Sequence, residues 1–379
     1  MREPPRRLSH QPGLDGIRGI AIALVVCKHI GVLSGGFIGV DIFFVLSGFL
    51  ITTLLLQERR STGTVNFGAF YRRRVRRLLP ALLIALPLGW VAATVYPHHL
   101  TDWPYWLGAL GALGYVSNWL QVAGHDHLRT LAHTWSLAVE EQFYLVWPAA
   151  LFALLRRRMH ERRVLIAVAG VVVTSVLYLT VVKRVDPGHN LYVSTISRAG
   201  ELLLGAGLCV LWRHRRVPRL LSSWYAFVAV AAGLGWLAWT VTVYTGWMYS
   251  WAGIYLGALA GVVLVATVME RPESWPARLL TVSPLRYTGR ISYGMYLYNY
   301  PLSFALSAEV TGLGKFSSAA LIAAATWAAA AASYHLVEQP ILNAKPRRLT
   351  LLDGGRRLDG GLDSRIEPCE LVDVGHAAS

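Results

Sequence analysis

The sequence predicts an all-α, polytopic membrane protein. Of its 379 residues, 54% are hydrophobic and only 15% are charged, whereas about 25% of the residues in a soluble domain are charged. The 35 glycines and 14 tryptophans agree with this class, because Gly is frequent in transmembrane helices and Trp at the membrane interface. Lys and Arg number 36 against 21 for Asp and Glu, which gives a net charge of +15. The basic residues cluster between apolar stretches, so they predict membrane orientation and not a nucleic-acid partner.

Ten apolar stretches predict about ten transmembrane helices, since a span needs about 20 largely apolar residues. The first stretch lacks a small-residue cleavage site, so we expect a retained span and not a signal peptide. The predicted domains are a cytoplasmic segment over residues 1–16, an integral membrane domain over residues 17–342 and a disordered cytoplasmic tail over residues 343–379. The ten stretches are residues 17–33, 37–56, 78–96, 137–155, 164–182, 199–212, 224–244, 251–269, 291–306 and 318–337.

The basic loops predict the orientation of these spans, because cytoplasmic loops carry an excess of Lys and Arg. With a cytoplasmic N-terminus and ten spans, every later basic cluster falls on the inner side. We therefore expect a multi-pass plasma-membrane protein with both termini in the cytoplasm. The clusters are residues 72–77, 156–163, 213–219, 271–290 and 345–348.

One further apolar segment, residues 103–122, is predicted not to cross the membrane. Pro104, Asn118 and several glycines interrupt it, and an eleventh span would move the later basic loops outside. We expect a re-entrant or interfacial segment that lines a cavity, where irregular backbone is tolerated.

The spacing of Cys and His predicts no metal centre and no permanently bound cofactor. Cys27, Cys209 and Cys369 are too few and too scattered for a disulfide framework, and no paired Cys/His spacing suggests zinc. The functional candidates are therefore ionisable side chains inside spans, where each costs about 2.5–3.5 kcal/mol on insertion scales.

Three such side chains, Arg18, Lys28 and His29, lie in the first span. Arg18 and His29 are eleven positions apart, so at 100° per residue they face one side of a helix, about 16 Å from each other. This spacing indicates a path from the cytoplasmic face towards the middle of the membrane. The alternative is that Arg18 only reaches the membrane interface and that His29 is a packing residue.

Five arginines lie among residues 72–77, and they allow two interpretations. They hold the loop in the cytoplasm, or two of them also bind an anion. Arg74 and Arg77 are three positions apart on one helix face, where two guanidinium groups could grip a phosphate or a nucleotide.

The segment from His133 to Tyr144 places two adjacent carboxylates, Glu140 and Glu141, near the start of an apolar helix. In a continuous α-helix His133 and Glu140 would share a face, because seven residues make nearly two turns. The alternative is structural, since acidic residues near a helix start suit its dipole.

Other polar residues in or beside the spans complete the candidates. Arg198 and Glu201 are three positions apart and are expected to pair. The glycines on either side of Asp41 allow close helix approach or an unusual turn. The remaining candidates are Asp15, Asp41, Trp135, Ser136, Tyr296 and Glu338.

Taken in order, these segments resemble the acyltransferase 3 family, a membrane-bound group that includes O-antigen and other sugar O-acetylases. The resemblance runs from Leu14 to about Leu342, and the ordered set is more specific than any one segment. Its parts are residues 14–18 with His29, 39–49, 70–80, 133–144, 292–301 and 337–340.

The resemblance implies transfer of an acyl group, usually acetyl, from cytoplasmic acyl-CoA as a co-substrate to a hydroxyl of a sugar or glycosylated molecule. The family pattern of Arg, ten residues and His falls on Arg18 and His29, and the pattern of Arg, two residues and Arg falls on Arg74 and Arg77. Asn299 stands where relatives often have His. The esterase-like periplasmic domain of longer relatives is not found here, so we expect the chain to act alone or with an external partner.

In this chemistry His29 is expected to be the base or a transient acyl acceptor, and Arg18 to orient it or neutralise the developing charge. Arg74 and Arg77 are expected to bind the CoA phosphates. A carboxylate is expected to hold the other nitrogen of the His29 ring, with Glu140 favoured. The carboxylates considered are Asp15, Asp41, Glu140 and Glu141.

The alternative function is a transporter or exporter of glycans or amphipathic small molecules, since about ten spans with buried charges suit it equally well. Inverted halves with matching broken helices would favour transport, and the sequence has no obvious pair of this kind. The acceptor stays open among surface polysaccharide, peptidoglycan, glycolipid and a secreted natural product. The acyl chain length, the oligomeric state and the choice between a covalent acyl-histidine and a ternary complex also stay open.

Overall fold

The computed structural model describes residues 6, 8–96, 104–124, 128–156, 161–185, 191–240 and 251–344. The described chain is helical and contains no β-strand, which confirms the all-α class. The predicted tail beyond residue 344, with its basic cluster at 345–348, lies outside these residues. The helices are α1 (Pro12–His29), α2 (Ile38–Thr62), α3 (Phe67–Val95), α4 (Tyr105–Leu113), α5 (Ser117–Val122), α6 (Trp135–Arg156), α7 (Glu161–Val185), α8 (Thr195–Arg213), α9 (Trp224–Thr240), α10 (Trp251–Glu270), α11 (Trp275–Leu279), α12 (Ser283–Arg290), α13 (Ser292–Ala305), α14 (Ala308–Thr311), α15 (Lys315–Ser333) and α16 (Gln339–Asn343).

Each of the ten predicted spans overlaps one of these helices, although residues 241–244 of the seventh span lie outside the described residues. Seven described segments are long and apolar enough to cross a membrane. This confirms a multi-pass membrane protein. The count of ten stays a prediction, because α9 has 17 residues, α13 has 14 and α1 carries several charged side chains. The seven segments are Ile38–Thr62, Phe67–Val95, Arg129–Leu155, Arg162–Val182, Leu191–Arg213, Gly253–Glu270 and Lys315–Asn343.

Two helices begin earlier than the hydropathy pattern predicts. Helix α1 begins at Pro12 and not at residue 17, since a proline at the first helical position and Asp15 in the first turn favour that start. Helix α3 begins at Phe67 and not at residue 78, and the Asn66 side chain caps it by accepting a hydrogen bond from the Ala69 amide. The arginines at residues 72–77 therefore lie within a helix and not in a loop.

The segment at residues 103–122 is broken, as its sequence suggests. Helices α4 and α5 have nine and six residues, too few to span a bilayer. Between them Tyr115 takes a left-handed backbone conformation, with φ of 52°. Asn118 is fully buried, where it donates a hydrogen bond to the Thr195 hydroxyl and accepts one from the Gln142 amide. The broken segment is thus fastened to α6 and α8 by polar contacts.

Glycines allow α2 to pack closely on α1 and α8. A Cβ atom at Gly48 would lie 1.8 Å from a backbone oxygen of α8, and one at Gly205 of α8 would lie 1.9 Å from a backbone oxygen of α2. A Cβ atom at Gly39 would lie 2.2 Å from a backbone oxygen of α1. These contacts explain the glycines around Asp41 as positions where two backbones meet.

The helices differ in how far the protein buries them. In the most apolar part of α2, α8 and α10, 78% of the residues are buried, against 22% in α7 and in the segment that includes α15. The most buried helices form the centre of the bundle, and α7 and α15 lie at its periphery. Most of the polar candidates are carried by central helices or by the segments that pack on them.

Candidate active site

The His29 ring lies at the end of α1, where α13 holds it. Its Nδ1 atom is 2.7 Å from the Asn299 side-chain oxygen. The Asn299 amide nitrogen in turn donates to the Thr326 hydroxyl over 3.2 Å, and both Asn299 and Thr326 are fully buried. An amide oxygen only accepts hydrogen bonds, so Nδ1 carries the ring proton. This leaves Nε2 of His29 with its lone pair, which is the form that a base or a nucleophile needs.

The prediction that a carboxylate holds this ring nitrogen is wrong, because Asn299 occupies the position. Each of the four carboxylates instead accepts a hydrogen bond from a side chain other than His29. Asn299 stands out in the sequence as an amide within an apolar span, at a position where relatives often have His, and that is the signal by which it could have been found.

A second imidazole, that of His133, lies close to the first. His29 and His133 both pack on the Tyr300 ring, with centroid distances of 4.9 and 5.0 Å. His133 also lies 5.3 Å from the Tyr296 ring. We call His29, His133, Tyr296, Asn299 and Tyr300 the imidazole cluster. It brings together one residue of α1, three of α13 and one from the turn before α6.

His133 is only 4% exposed, and neither of its ring nitrogens has a hydrogen-bond partner among the described residues. The Leu297 carbonyl is close to the ring but is not placed to accept a hydrogen bond. A buried polar group without a partner costs about 1–3 kcal/mol. The ring of His133 is therefore a place where a polar ligand atom would be stabilised.

The expected shared face of His133 and Glu140 is wrong. His133 belongs to a 3₁₀ helix, Arg129–Thr134, and not to α6. The tighter turn changes the angular relation between the two positions, so His133 faces α13. Glu140 faces α2, where it accepts hydrogen bonds from the Ser47 and Tyr144 hydroxyls.

The arginine cluster is formed by Arg18 of α1, Arg74 and Arg77 of α3 and their acidic partners. It is separate from the imidazole cluster, because Arg18 and His29 are eleven residues apart on α1. The Arg74 guanidinium lies 3.4 Å from the centroid of the Tyr144 ring and donates to the Glu141 carboxylate over 2.8 Å. Helix α6 therefore holds Arg74 of α3 in a fixed position by one ion pair and one cation–π contact.

Arg77 differs from its neighbour. Its side chain is exposed, and no hydrogen bond or ion pair joins it to another described residue. It is close enough to Arg18 and Arg74 for their charges to repel it. A cluster of three guanidinium groups in which one lacks a partner favours an anion as its ligand.

Arg18 points away from His29. Its guanidinium pairs with Asp15 at 3.2 Å, one turn nearer the N-terminus. Asp15 is 1% exposed and also lies 3.7 Å from His10 and 3.9 Å from Arg290. Arg18 thus belongs to the arginine cluster and does not orient the His29 ring.

A third group, the buried ion group, is formed by Asp41, Arg198 and Glu201, which are at most 1% exposed. The expected pairing of Arg198 with Glu201 is confirmed at 3.0 Å. Arg198 also donates to Asp41, a partner that the sequence spacing did not reveal. The guanidinium lies 4.6 Å from the Tyr192 ring and 5.5 Å from the Trp135 ring. These contacts make the group a fixed part of the bundle interior.

Two further candidates support neighbouring elements. Ser136 lies 2.5 Å from the Tyr296 hydroxyl, which itself donates to the His133 carbonyl over 2.6 Å. Ser136 and Tyr296 therefore position the turn that carries His133. Glu338 accepts a hydrogen bond from Ser333 over 2.9 Å, in the π-helical turn after α15.

Comparison with known proteins places this geometry in a family. A family model described as an acyltransferase domain, that of acyltransferase 3, matches residues 11–337. The chain belongs to the acyltransferase 3 family. The matched region includes every candidate residue except Glu338, and membership shows an acyl-transferring enzyme where the sequence alone left a transporter open.

Similar proteins carry related names. The chain is 34% identical over 349 residues to the peptidoglycan O-acetyltransferase OatA of Listeria monocytogenes. The match covers 87% of this chain and 55% of that protein. It is 34% identical over 358 residues to YrhL of Bacillus subtilis, provisionally named a peptidoglycan O-acetyltransferase, with coverage of 87% and 54%. A Staphylococcus aureus protein, provisionally named an O-acetyltransferase, is 32% identical over 324 residues, with coverage of 81% and 53%. The chain spans about half the length of these curated relatives. No solved structure matches it significantly.

Proposed function

We propose that this acyltransferase moves an acyl group, acetyl in the first instance, from cytoplasmic acyl-CoA to a hydroxyl of a carbohydrate or glycosylated molecule. The observation that carries the proposal is the His29 imidazole, which Asn299 fixes with its Nε2 lone pair free. The names of the relatives support O-acetyl transfer and a carbohydrate acceptor such as peptidoglycan.

His29 supplies the base in this proposal. Its Nε2 takes the proton of the acceptor hydroxyl while the hydroxyl oxygen forms a bond to the acyl carbon of the thioester. The resulting tetrahedral oxyanion then expels the CoA sulfur as the carbon–sulfur bond breaks, and the imidazolium returns the proton to the leaving thiolate. Because Asn299 is neutral, it fixes the tautomer of His29 without placing a second charge beside the ring.

The arginine cluster binds the phosphates of CoA in this proposal. Arg77 has no partner within the described chain and Arg74 is held rigidly, so together they offer planar donors to a phosphate. Arg18 and His29 are about 16 Å apart along α1. This separation suits a donor whose reactive thioester lies at the end of a long pantetheine arm, far from its phosphates.

The orientation belongs to the same proposal. The arginine cluster faces the cytoplasm of a plasma-membrane protein, residues 1–16 and 343–379 are cytoplasmic, and residues 17–342 form the membrane domain. A fluorescent reporter at the C-terminus is then expected to be active and an alkaline phosphatase reporter inactive, and the reverse pattern would contradict this orientation.

The function is tested with purified protein in lipid nanodiscs, radiolabelled acetyl-CoA and a panel of muropeptides, oligosaccharides and glycosides. Wild-type protein is expected to transfer label to at least one of them, and the His29→Ala variant to none. His335→Ala is the matched control, because His335 is exposed and its hydrogen bond is to Tyr287, outside the imidazole cluster. Transfer by His29→Ala at the wild-type rate would remove His29 from the chemistry, and wild-type protein without transfer to any acceptor would overturn the function.

A further inference from the structure

The imidazole cluster contains one ring that the proposed mechanism leaves without a task. His133 is as buried as the hydrophobic residues around it, and both of its ring nitrogens lack partners within the described chain. His29 has a defined partner and a defined tautomer in the same cluster. The difference between the two rings indicates that a group outside the described residues completes His133.

Hydrogen bonds hold the backbone of the turn that carries His133, whereas no described residue bonds to its ring. The Tyr296 hydroxyl donates to the His133 carbonyl, so its proton is not available to the ring. In the same turn the Gln121 amide donates to the Ala132 carbonyl over 2.8 Å, and Thr130 donates to the Gly89 carbonyl over 2.7 Å. The turn is thus fixed from three sides, and it holds the ring in place while leaving Nδ1 and Nε2 free.

The position of the ring indicates which substrate it meets. His133 contacts Tyr300, as does His29, the base of the proposed function. Glu141, which binds Arg74, lies six residues beyond the start of α6, or about 9 Å further along that helix. The proposed donor phosphates bind at the arginine cluster, so His133 lies beside the base and apart from them. His29 and Tyr300 are partly exposed, whereas His133 is buried beside them.

We propose that His133 binds the acceptor: its ring N–H donates to the oxygen of the hydroxyl that is acylated, and its other nitrogen accepts a hydrogen bond from a second hydroxyl of the same molecule or from a bound water. This inference rests on the proposed function and names the acceptor-binding group of the same site. A neutral imidazole has one donor and one acceptor, and a sugar offers hydroxyl groups that satisfy both. With the oxygen held by His133, its proton is directed towards Nε2 of His29.

The test uses His133→Phe, which keeps a ring of similar size but makes no hydrogen bonds. Steady-state rates are measured in nanodiscs with acetyl-CoA and the glycoside that wild-type protein acetylates fastest. The expected result is a fall of about tenfold or more in kcat/KM for the glycoside, with an unchanged KM for acetyl-CoA. His335→Phe is the matched control and is expected to change neither quantity.

A purely structural role is separated by two further measurements. Because the ring nitrogens bond to no described residue, His133→Phe is expected to leave the thermal unfolding midpoint unchanged or higher, and to bind CoA with the wild-type Kd. A wild-type kcat/KM for the glycoside would overturn the inference, and so would an increase confined to the KM for acetyl-CoA. A lowered unfolding midpoint with weakened CoA binding would also overturn it. Failure of wild-type protein to use any acceptor would instead overturn the proposed function, so the two failures are distinguishable.

Discussion

Replacing Asn299 with Leu removes the group that fixes the tautomer of His29 while keeping a side chain of similar size. In the structure Nδ1 of His29 donates to the Asn299 oxygen over 2.7 Å. Without that acceptor the Nδ1 proton has no partner, and the ring can carry its proton on Nε2, the nitrogen that has to accept one. An unpaired buried donor costs about 1–3 kcal/mol, which corresponds to about a 5- to 150-fold lower kcat/KM. Initial rates of labelled acetyl transfer in nanodiscs measure this effect.

Thr326→Val supplies the internal control for that experiment. Thr326 contacts the Asn299 amide over 3.2 Å, and in this scheme it acts on His29 only through Asn299. Thr326→Val alone is expected to lower kcat/KM by about threefold, and the double variant is expected to be no less active than Asn299→Leu, since the two residues form one chain of contacts. Wild-type activity of Asn299→Leu would refute the tautomer argument, and so would a double variant whose losses simply multiply.

Three other predictions concern the donor site and the packing. Arg77→Ala is expected to raise the KM for acetyl-CoA by about tenfold with little change in the unfolding midpoint, because its guanidinium has no described protein partner. Arg76→Ala is the neighbouring control, and an equal rise in KM there would show that only the overall positive charge matters. Gly48→Ala is expected to lower the unfolding midpoint, because the new Cβ would lie 1.8 Å from a backbone oxygen of α8. At Gly170 a new Cβ would have no atom within 4 Å, so Gly170→Ala is expected to be neutral or stabilising. Equal midpoints for the two variants would contradict the close packing of α2 on α8. Arg198→Met is expected to destabilise the fold by about 3–5 kcal/mol, because it leaves two buried carboxylates without their cation, and denaturant unfolding that matches wild type would refute it.

The sequence predicts well what depends on hydropathy and helical periodicity. The ten apolar stretches all become helices, the broken segment at residues 103–122 follows from its Pro and Gly content, and the three-residue spacing of Arg198 and Glu201 brings them into contact. Each of these features is local, since it depends on residues close together in the chain. The glycines around Asp41 also follow from local composition, although the helices that they contact do not.

The sequence predicts poorly what depends on contacts between distant segments. Asn299 meets His29 across 270 positions of the chain, and nothing in the spacing of either residue selects the other. The sequence predicts the wrong helix face for His133 because a 3₁₀ turn ends just before α6, and turn type does not follow from hydropathy. The contact of Asp41 with Arg198, 157 positions away, is likewise not encoded in local spacing.

Under the proposed function, the placement of the two clusters on shared helices lets one bundle serve two substrates that approach from opposite sides. Arg18 and His29 lie on α1, so the backbone of one helix sets the distance between the arginine cluster and the proposed base. Glu141 and His133 lie on α6 and on the turn that leads directly into it, which fixes the depth of the proposed acceptor site relative to Arg74. Because both distances follow from helical rise, the reacting groups are held in position before either substrate binds. Transfer between the two sides then requires the long arm of the donor to reach the base, and it does not require a large movement of the helices.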